Sequence, residues 1–327
     1  MTAIVLTLRA LLLVCATISV VQAQTNMPAP LVYSGAMDGS AAVAIDSNFF
    51  ANASDEDSVI LIYHRERGGE PVQSMDLASF LEVDSRSPET DIEAAARIGN
   101  RLYWITSHGR NKSGKERESR HRFFTTDIHT NEHGIQLVPV GKLYKDLLDD
   151  LSAAQQLKKF GLAVAGAREP KSAGGLAIEG LAAMPDGHLL IGFRNPVPKG
   201  RALLVPLLNP DEVITGAHAQ LGAPIQLDLG GLGIRDISSW QGEFIIIAGP
   251  YNAGGTSKLF RWPGGVATPL PMKQVSLKGL NPEAIIIYPD KGLRNFQLLS
   301  DDSAEQKTKD ASRTRAEPRF RSAWVTP

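Results

Sequence analysis

The sequence predicts an all-β protein folded as a β-propeller with four-stranded blades. Three observations lead to this fold class. First, an acidic residue followed by a short strand of small and apolar residues recurs five times along the 327-residue chain. Second, a tight turn and a second β-rich strand with a polar end follow each time. Third, further short β-like runs bring most units to four strands, which is the repeat pattern of a propeller.

The five units are aligned by the acid that opens each of them. These leading acids are Asp38, Glu93, Glu179, Asp236 and Glu283. The second strand of each unit ends in a polar segment. These segments are 55–57, 107–111, 192–195, 249–252 and 300–302.

The outer strands follow in the same order along the chain. They are predicted at 59–65 and 71–77, 122–128 and 135–140, 201–208 and 224–229, 258–262 and 267–272, and 320–325. The fifth unit lacks its outermost strand, which the segment 30–34 can supply from the N-terminal end. Closing the ring in this way leaves no end blade with an open seam. We therefore predict five blades, with six as the alternative if the long insertion at 143–160 contains a further blade.

That insertion carries Leu and Phe at helical spacing with Asp and Lys between them. We predict a short amphipathic helix near 143–160, and we favour a role in capping a blade over a role in binding a partner. The charge-rich stretches 113–122 and 303–319 are typical of solvated loops.

The first 23 residues have the form of a secretory signal peptide. Arg9 is the only charged residue, an apolar run covers 10–21, and a small-residue cleavage site ends at Ala23. A membrane anchor is the alternative, but this run is shorter than the roughly 20 residues that span a bilayer. A lipoprotein signal ending at Cys15 is a third, less favoured interpretation. We expect export to the periplasm or the medium, with residues 24–327 as a single propeller domain.

Composition restricts the partners. Cys15 is the only cysteine, so the mature chain would have no disulfide and no thiol ligand for zinc. The net charge of −1 gives no basic patch for nucleic acid. We expect a monomer without membrane contact after cleavage, with a small anionic ligand or a protein as its partner.

The leading acids predict a functional site. In a propeller the innermost strands line the channel, so the acids at their starts are expected at one mouth. We therefore assign Glu93, Glu179, Asp236 and Glu283 to catalysis and, with Asp38, to a metal site. The polar ends of the second strands and one inner-strand arginine would bind substrate; they are Arg110, Asn111, Arg194, Asn195, Arg235, Asp301 and Asp302.

A structural explanation competes for each acid, because such a residue can accept N–H bonds in its own turn. For the five acids as a set, electrostatic repulsion argues against a purely structural explanation. Two carboxylates about 7 Å apart repel by about 2 kcal/mol at an effective dielectric constant of about 20. Either some acids are protonated, or arginines pair with them, or a cation binds among them. Calcium suits such an oxygen-rich site.

His108 is the one predicted rim residue that titrates near neutral pH. It would act as a general acid or base and belongs to the proposed catalytic set, or it would fix a loop by hydrogen bonds. The residues leave both interpretations open.

Several segments resemble a known family. The stretches DGSAAVAID, ETDIEAAARIGNRLYWITSHGRNKSGK, EGLAAMPDGHLLIGFRNP, LDLGGLGIRDI with IIAGPYN, and LNPEA with LLSDD are similar to the bacterial domain of unknown function 3616. This resemblance covers about 31–325 and implies a propeller-like repeat protein. The strand starts at Glu93 and Glu179 resemble, more distantly, those of esterase-like phytase domains, which implies phosphoester hydrolysis.

Two functions follow as hypotheses. The first is an exported hydrolase of phosphoesters or other esters at the channel mouth, in which carboxylates hold a cation or activate water. The second is a non-catalytic periplasmic or extracellular propeller that binds a small ligand or a protein. The sequence leaves the choice between them open.

Overall fold

The computed structural model describes residues 29–83, 89–132, 134–252, 254–302 and 318–327. Within these residues, strands β1 to β20 form five antiparallel sheets of four strands each. The innermost strands of the five sheets contact one another in a closed ring. The protein is therefore a five-bladed β-propeller, as predicted, and the described part of the chain contains no sixth blade.

Each blade runs outward from the central channel in the order given. Blade 1 consists of β2 (Ala41–Ala44), β3 (Phe49–Ala53), β4 (Val59–His64) and β5 (Gln73–Asp76). Blade 2 consists of β6 (Ile92–Ile98), β7 (Arg101–Thr106), β8 (Phe123–Asn131) and β9 (Gly134–Tyr144). Blade 3 consists of β10 (Ala177–Ala183), β11 (Leu189–Asn195), β12 (Ala202–Leu207) and β13 (Ile225–Leu227). Blade 4 consists of β14 (Gly233–Trp240), β15 (Glu243–Gly249), β16 (Lys258–Trp262) and β17 (Leu270–Pro271).

Blade 5 joins the two ends of the chain. Its inner strands are β18 (Pro282–Ile286), β19 (Phe296–Ser300) and β20 (Arg319–Val325). Its outermost strand is β1 (Leu31–Ser34), which pairs antiparallel with β20. This confirms the predicted closure of the ring by the N-terminal strand. Backbone hydrogen bonds between the two ends thus replace the open seam that a linear array of blades would have.

The apolar core is divided among the interfaces between blades. In the described residues, five clusters of buried side chains each draw on two neighbouring blades. The alternating apolar residues of each strand explain this division, because successive side chains of a strand point to opposite faces of its sheet. Each face therefore packs against a different neighbour, and the stability of every blade depends on the blades beside it.

The predicted helical insertion is present, but it is divided. Strand β9 extends to Tyr144, then α1 (Leu147–Ala153), a 3-10 helix (Gln155–Phe160) and α2 (Leu162–Gly166) follow. A further one-turn helix, α3 (Pro210–Val213), follows β12. Leu147, Leu151 and Leu157 are buried in the cluster between blades 2 and 3. The insertion thus covers the outer end of one blade interface, in agreement with the predicted capping role.

A β-bulge distorts the start of four inner strands at equivalent positions. The pairing register skips one residue in β6, β10, β14 and β18. The skipped residues are Glu93, Glu179, Arg235 and Glu283. A bulge changes the direction of the side chain at that point. This irregularity is what directs these charged side chains toward one mouth of the channel.

Blades 3 and 4 approach closely at Gly233, and this contact gives a prediction. A Cβ atom added there would lie 1.9 Å from the carbonyl oxygen of Arg194. We expect Gly233→Ala to lower the free energy of unfolding by about 2 kcal/mol or more, because the backbones of β11 and β14 must separate. Urea unfolding followed by circular dichroism measures this loss.

Gly254→Ala is the matched control, since the nearest atom to its added Cβ is 3.9 Å away. Equal stability of the Gly233→Ala and Gly254→Ala variants would show that β11 and β14 leave room for a methyl group at position 233.

The predicted signal peptide at 1–23 lies outside the described residues. Among the residues that are described, no helix is both long enough and apolar enough to span a bilayer.

Candidate functional site at the channel mouth

The two ends of the central channel differ in chemistry. At one end, mostly small or apolar residues, together with Arg97 and Trp240, surround a cavity of about 260 Å³. At the other end, a polar cavity of about 570 Å³ lies among the loops that enter the inner strands and leave the second strands. Its charged lining residues are Asp55, Glu56, Glu89, Asp91, Glu93, Arg110, Lys112, Arg120, Glu169, Lys171, Arg194, Glu179, Glu283 and Asp301.

The bulged residues form ion pairs at this mouth. The Arg194 guanidinium lies 2.8 Å from the Glu179 carboxylate, and both side chains are buried. Arg235 pairs with Glu283, which joins blades 4 and 5. Hydrogen bonds to the backbone carbonyls of Pro250 and Asn252 also occupy Arg194. These two arginines therefore neutralise protein carboxylates and have little capacity left for an anionic ligand.

A second group of carboxylates is not fully neutralised by arginines. Oxygen atoms of Asp55, Asp91 and Glu93, called here the acidic cluster, all lie within 4.8 Å of one another. Two full charges at that separation repel by about 3 kcal/mol at an effective dielectric constant of about 20. Asp91 has Arg120 at 2.7 Å, whereas Asp55 and Glu93 have no ion pair among the described residues.

Burial adds to this repulsion and changes the acidity of the cluster. Burial, and then the neighbouring Asp91, Glu179 and Asp55, raise the pKa of Glu93 well above its ordinary value. Burial raises the pKa of Asp91 to about 7, although the Arg120 guanidinium lowers it. Burial also raises the pKa of Asp55. Near neutral pH the cluster therefore either retains protons or gains stability from a bound cation.

Asp38 lies behind the acidic cluster instead of lining the cavity. Its side chain is 2 % exposed and accepts hydrogen bonds from Ser40 and Ser54 at 2.9 and 3.0 Å. It is also hydrogen-bonded to Asp55, and burial followed by the charge of Asp55 raises its pKa well above the ordinary value. Two carboxyl groups in such contact share a proton. Asp38 carries this proton, so its hydrogen bond holds Asp55 in place and lowers the pKa of Asp55, against the larger effect of burial.

Carboxylate oxygens at this spacing are the ligands that calcium prefers. The acidic cluster offers one oxygen from each of three side chains on two blades. The ligand set differs from the predicted one, since only Glu93 belongs to both. Glu179 and Glu283 line the same cavity but are occupied by arginines.

The placement of Asp236 corrects the repeat alignment. Its carboxylate accepts the backbone N–H of Ile285 at 2.6 Å and does not line the cavity. Burial raises its pKa well above the ordinary value. The bulge in β14 lies at Arg235, so this arginine, not Asp236, is equivalent to the glutamates of the other blades. Asp236 instead joins blade 4 to blade 5.

His108 also lies away from the cavity lining. It is 0 % exposed, its Nδ1 is 2.8 Å from the carbonyl oxygen of Thr106, and its Nε2 has no hydrogen-bond partner in the described part of the chain. Burial, with the neighbouring His121, lowers its pKa to about 3. A neutral, enclosed imidazole of this kind does not exchange protons with a ligand in the cavity.

The remaining predicted residues divide into two groups. Arg110, Asn111 and Asp301 line the cavity. Asn195 and Asp302 do not: the Asn195 amide donates to the carbonyls of Pro170 and Ser172, both at 2.7 Å, and Asp302 accepts from Arg321 at 2.7 Å. These two residues therefore hold neighbouring chain segments in position.

Several lining residues were not predicted. Asp55 ends the second strand of blade 1 in the position that 107–111 occupy in blade 2, so the repeat contained a signal for it. Asp91 precedes β6 and adopts a left-handed φ of 59°, which sequence patterns do not reveal. Arg120, Lys112 and Lys171 lie in loops that vary between the units. Only the folded loops bring them to the cavity.

Arg120 gives a pH-dependent prediction. The pKa of Asp91 is higher in the folded than in the unfolded state. Its ionisation therefore lowers the free energy of unfolding progressively as the pH rises from about 4 to 7. Removing Arg120 raises the pKa of Asp91 further, since the Asp91 carboxylate then loses its counter-charge. The loss of stability therefore continues above pH 7. We expect Arg120→Met to cost about 2 kcal/mol more in unfolding free energy at pH 8.5 than at pH 5.

Denaturant titrations at the two pH values measure this difference, with the exposed Arg117→Met as the control. A cost for Arg120→Met that does not change between pH 5 and pH 8.5 would contradict the assigned coupling between Arg120 and Asp91.

The fold and this cavity define a class: a five-bladed β-propeller with a carboxylate-rich site at one mouth of its channel. A family model described as "Protein of unknown function (DUF3616)" matches residues 124–286. This match supports the family resemblance that the motifs of the chain predicted. A search of curated proteins gave no match.

Solved structures share the general architecture. The glutaminyl cyclase of Myxococcus xanthus is 14 % identical, with a TM-score of 0.44 over 90 % of this chain and 95 % of that one. The aldose sugar dehydrogenase of Streptomyces coelicolor is 11 % identical, with a TM-score of 0.42 over 92 % and 100 %. The sialidase of Trypanosoma rangeli is 12 % identical, with a TM-score of 0.40 over 82 % and 43 %. These likenesses concern the fold alone.

Proposed function

We propose that the protein is an exported hydrolase that cleaves a phosphoester or another ester at the carboxylate-rich mouth of its channel. One observation carries the proposal: Asp55 and Glu93 are closely spaced carboxylates without an ion pair among the described residues, in the wall of a cavity large enough for a small substrate. Maintaining unbalanced charges costs stability, and such sites are commonly functional.

The acidic cluster would hold a divalent cation such as calcium. A bound cation relieves the repulsion among Asp55, Asp91 and Glu93, and it supplies Lewis-acid stabilisation of charge on a bound ester. It also offsets the negative potential of the cavity, which otherwise repels an anionic substrate. The described lining has more carboxylates than cationic groups, so phosphoester binding depends on this offset.

Proton transfer is assigned to the acidic cluster and not to His108. A group is most effective as a general base when its pKa lies near the working pH, and the pKa of Asp91 is raised to about 7. Asp55 and Glu93 would hold the cation. Asp91, which pairs with Arg120, would accept a proton from the attacking water. His108 is enclosed and has a lowered pKa, so its effect is on the position of the loop that follows β7.

A substrate panel tests the proposal. Metal-free protein would be assayed against phosphomonoesters, phosphodiesters and carboxylic esters, with EDTA, with calcium and with magnesium. We expect hydrolysis of at least one phosphoester, increased by a divalent cation and lost with EDTA. Absence of turnover for every substrate and metal would overturn the proposal. N-terminal sequencing of secreted protein checks the export component, with Gln24 expected as the first residue.

A non-catalytic binding propeller is the second candidate, and the buried Arg194–Glu179 and Arg235–Glu283 pairs favour it. Their guanidinium groups are already neutralised, which leaves few groups to stabilise a developing negative charge. Thermal-shift screening distinguishes the two candidates, because a ligand that binds the folded state raises its melting temperature. A shift by a metabolite that is recovered unchanged would favour binding over hydrolysis.

A further inference from the structure

The cationic groups that line the channel-mouth cavity differ in their availability. Arg110 lies 3.2 Å from Glu116, Arg120 pairs with Asp91 at 2.7 Å, and Arg194 pairs with Glu179 at 2.8 Å. The ammonium groups of Lys112 and Lys171 have no hydrogen bond or ion pair among the described residues. Both side chains are exposed and both line the cavity. An anionic ligand would therefore find its free positive charges at the lysines and not at the arginines.

The backbone at Lys112 is held in place although its side chain is free. The Asn111 carboxamide oxygen accepts the backbone N–H groups of Ser113 and Lys115 at 3.0 and 2.9 Å. A backbone hydrogen bond from Gly114 to Asn111 at 2.8 Å closes the same turn. This turn fixes the position of the Lys112 backbone, so that only the side-chain rotamers of Lys112 remain to be ordered when a ligand binds.

The backbone at Lys171 is held in a similar way. The Asn195 carboxamide donates to the carbonyls of the residues on either side, Pro170 and Ser172, both at 2.7 Å. The Lys171 N–H donates to the Glu169 carboxylate at 3.0 Å. Asn195 is buried at the end of β11. It thus connects the position of Lys171 to the framework of blade 3.

The two lysine loops lie against each other. A Cβ atom added at Gly109 would be 2.6 Å from the Leu176 carbonyl oxygen and 3.0 Å from Pro170. The loop after β7 and the loop before β10 are therefore in direct contact, and both lysines belong to the same side of the cavity. Two ammonium groups so placed match a doubly charged oxyanion better than a single carboxylate.

We infer that Lys112 and Lys171 form an anion-binding pair that selects a phosphate group, and that they determine specificity for phosphoesters over neutral esters. This inference rests on the proposed function in its choice of substrate but concerns binding, which is measured separately. The acidic cluster and its cation would act on the ester, while the lysines hold the dianionic end. Asn111 and Asn195 are positioning residues for this pair.

The test uses inorganic phosphate as the probe, in the presence of calcium, with the full mature chain. Isothermal titration calorimetry would compare wild type, Lys112→Ala/Lys171→Ala and the control Lys115→Ala/Lys158→Ala. The control removes the same charge from exposed positions that do not line the cavity. We expect the first variant to lose phosphate affinity at least tenfold and the control to stay within twofold. Lys112→Arg/Lys171→Arg should retain most of the affinity.

For any phosphoester that is hydrolysed, the alanine variant should raise KM at least tenfold with kcat within threefold of wild type. KM for a neutral carboxylic ester should be unchanged. The inference is overturned if wild type binds no phosphate, if the alanine variant binds it as wild type does, or if the control loses as much affinity. Phosphate binding without any hydrolysis would refute the proposed hydrolase but support the lysine pair. Hydrolysis of neutral esters without phosphate binding would support the proposed hydrolase but refute the lysine pair.

Discussion

Asp55→Asn/Glu93→Gln is expected to reduce hydrolysis at least about 100-fold, because losing two ligands removes the cation and the charge stabilisation that it would supply. The same variant should be more stable than wild type when no metal is present. Both side chains have raised pKa values in the folded state, so their ionisation opposes folding above about pH 4. Neutral amides remove that repulsion, and we expect the free energy of unfolding at pH 8 to rise by about 1–3 kcal/mol.

The opposite signs of these effects separate a functional role from a structural one. A carboxylate needed only for packing would lower both stability and activity when replaced. Glu70→Gln/Asp149→Asn serves as the control, because it makes the same charge change at exposed positions. Near-normal turnover in the Asp55/Glu93 variant, or a loss of stability in the metal-free protein, would contradict the assignment of the acidic cluster.

Arg65→Ala is expected to cost about 2–4 kcal/mol of unfolding free energy, because it removes charge-assisted hydrogen bonds and contacts with two aromatic rings. Arg65 lies at the end of blade 1 and forms a two-pronged pair with Asp290 beyond β18, at 2.7 and 3.1 Å. Its guanidinium also lies 4.9 Å from the ring centre of Tyr288 and 5.7 Å from that of Trp324. Its carbonyl oxygen accepts the Tyr33 hydroxyl at 2.8 Å. It thus connects the first blade to the last.

Urea unfolding measures this cost, and Arg67→Ala is the matched control because Arg67 is exposed two residues away. The Asp290 side chain is more exposed than Arg65, so Asp290→Ala should cost less than Arg65→Ala. A loss below about 1 kcal/mol for Arg65→Ala, in the range of a surface pair, would show that strand pairing alone closes the ring.

The fold was predictable because its determinants are periodic. Four short strands per unit, and an N-terminal strand that completes the last unit, follow from counting apolar runs between turns. The insertion at 143–160 was recognised from its helical spacing, but its division into separate short helices was not. Ala154 interrupts the helix with an extended conformation, and nothing in its type indicates a break there.

The site was predictable only where the repeat itself supplies the residue. Glu93, Glu179 and Glu283 line the cavity because each lies at a bulge that follows the same local pattern. In blade 4 the sequence presents Arg235 and Asp236 side by side. The alignment by acids selected Asp236, whereas the bulge selects Arg235. A one-residue shift of this kind is invisible to pattern matching but moves a side chain to another environment.

Residues on loops were beyond sequence reasoning for a different reason. Lys112, Arg120 and Lys171 reach the cavity through loop conformations that depend on contacts distant in sequence, such as those of Asn195 with Pro170 and Ser172. His108 shows the converse, since a titratable residue at a polar strand end becomes fully enclosed. Burial decides its chemistry, and burial is a property of the assembled ring.

Calcium binding to the metal-free protein tests the central claim most directly. Titration calorimetry at pH 7.5 should give one calcium ion per chain for wild type and for Glu70→Gln/Asp149→Asn, and no binding for Asp55→Asn/Glu93→Gln. Equal binding by all three proteins would place the ion elsewhere. Absence of binding to wild type by calcium, magnesium and manganese alike would remove the cation from the site and leave its carboxylates protonated instead.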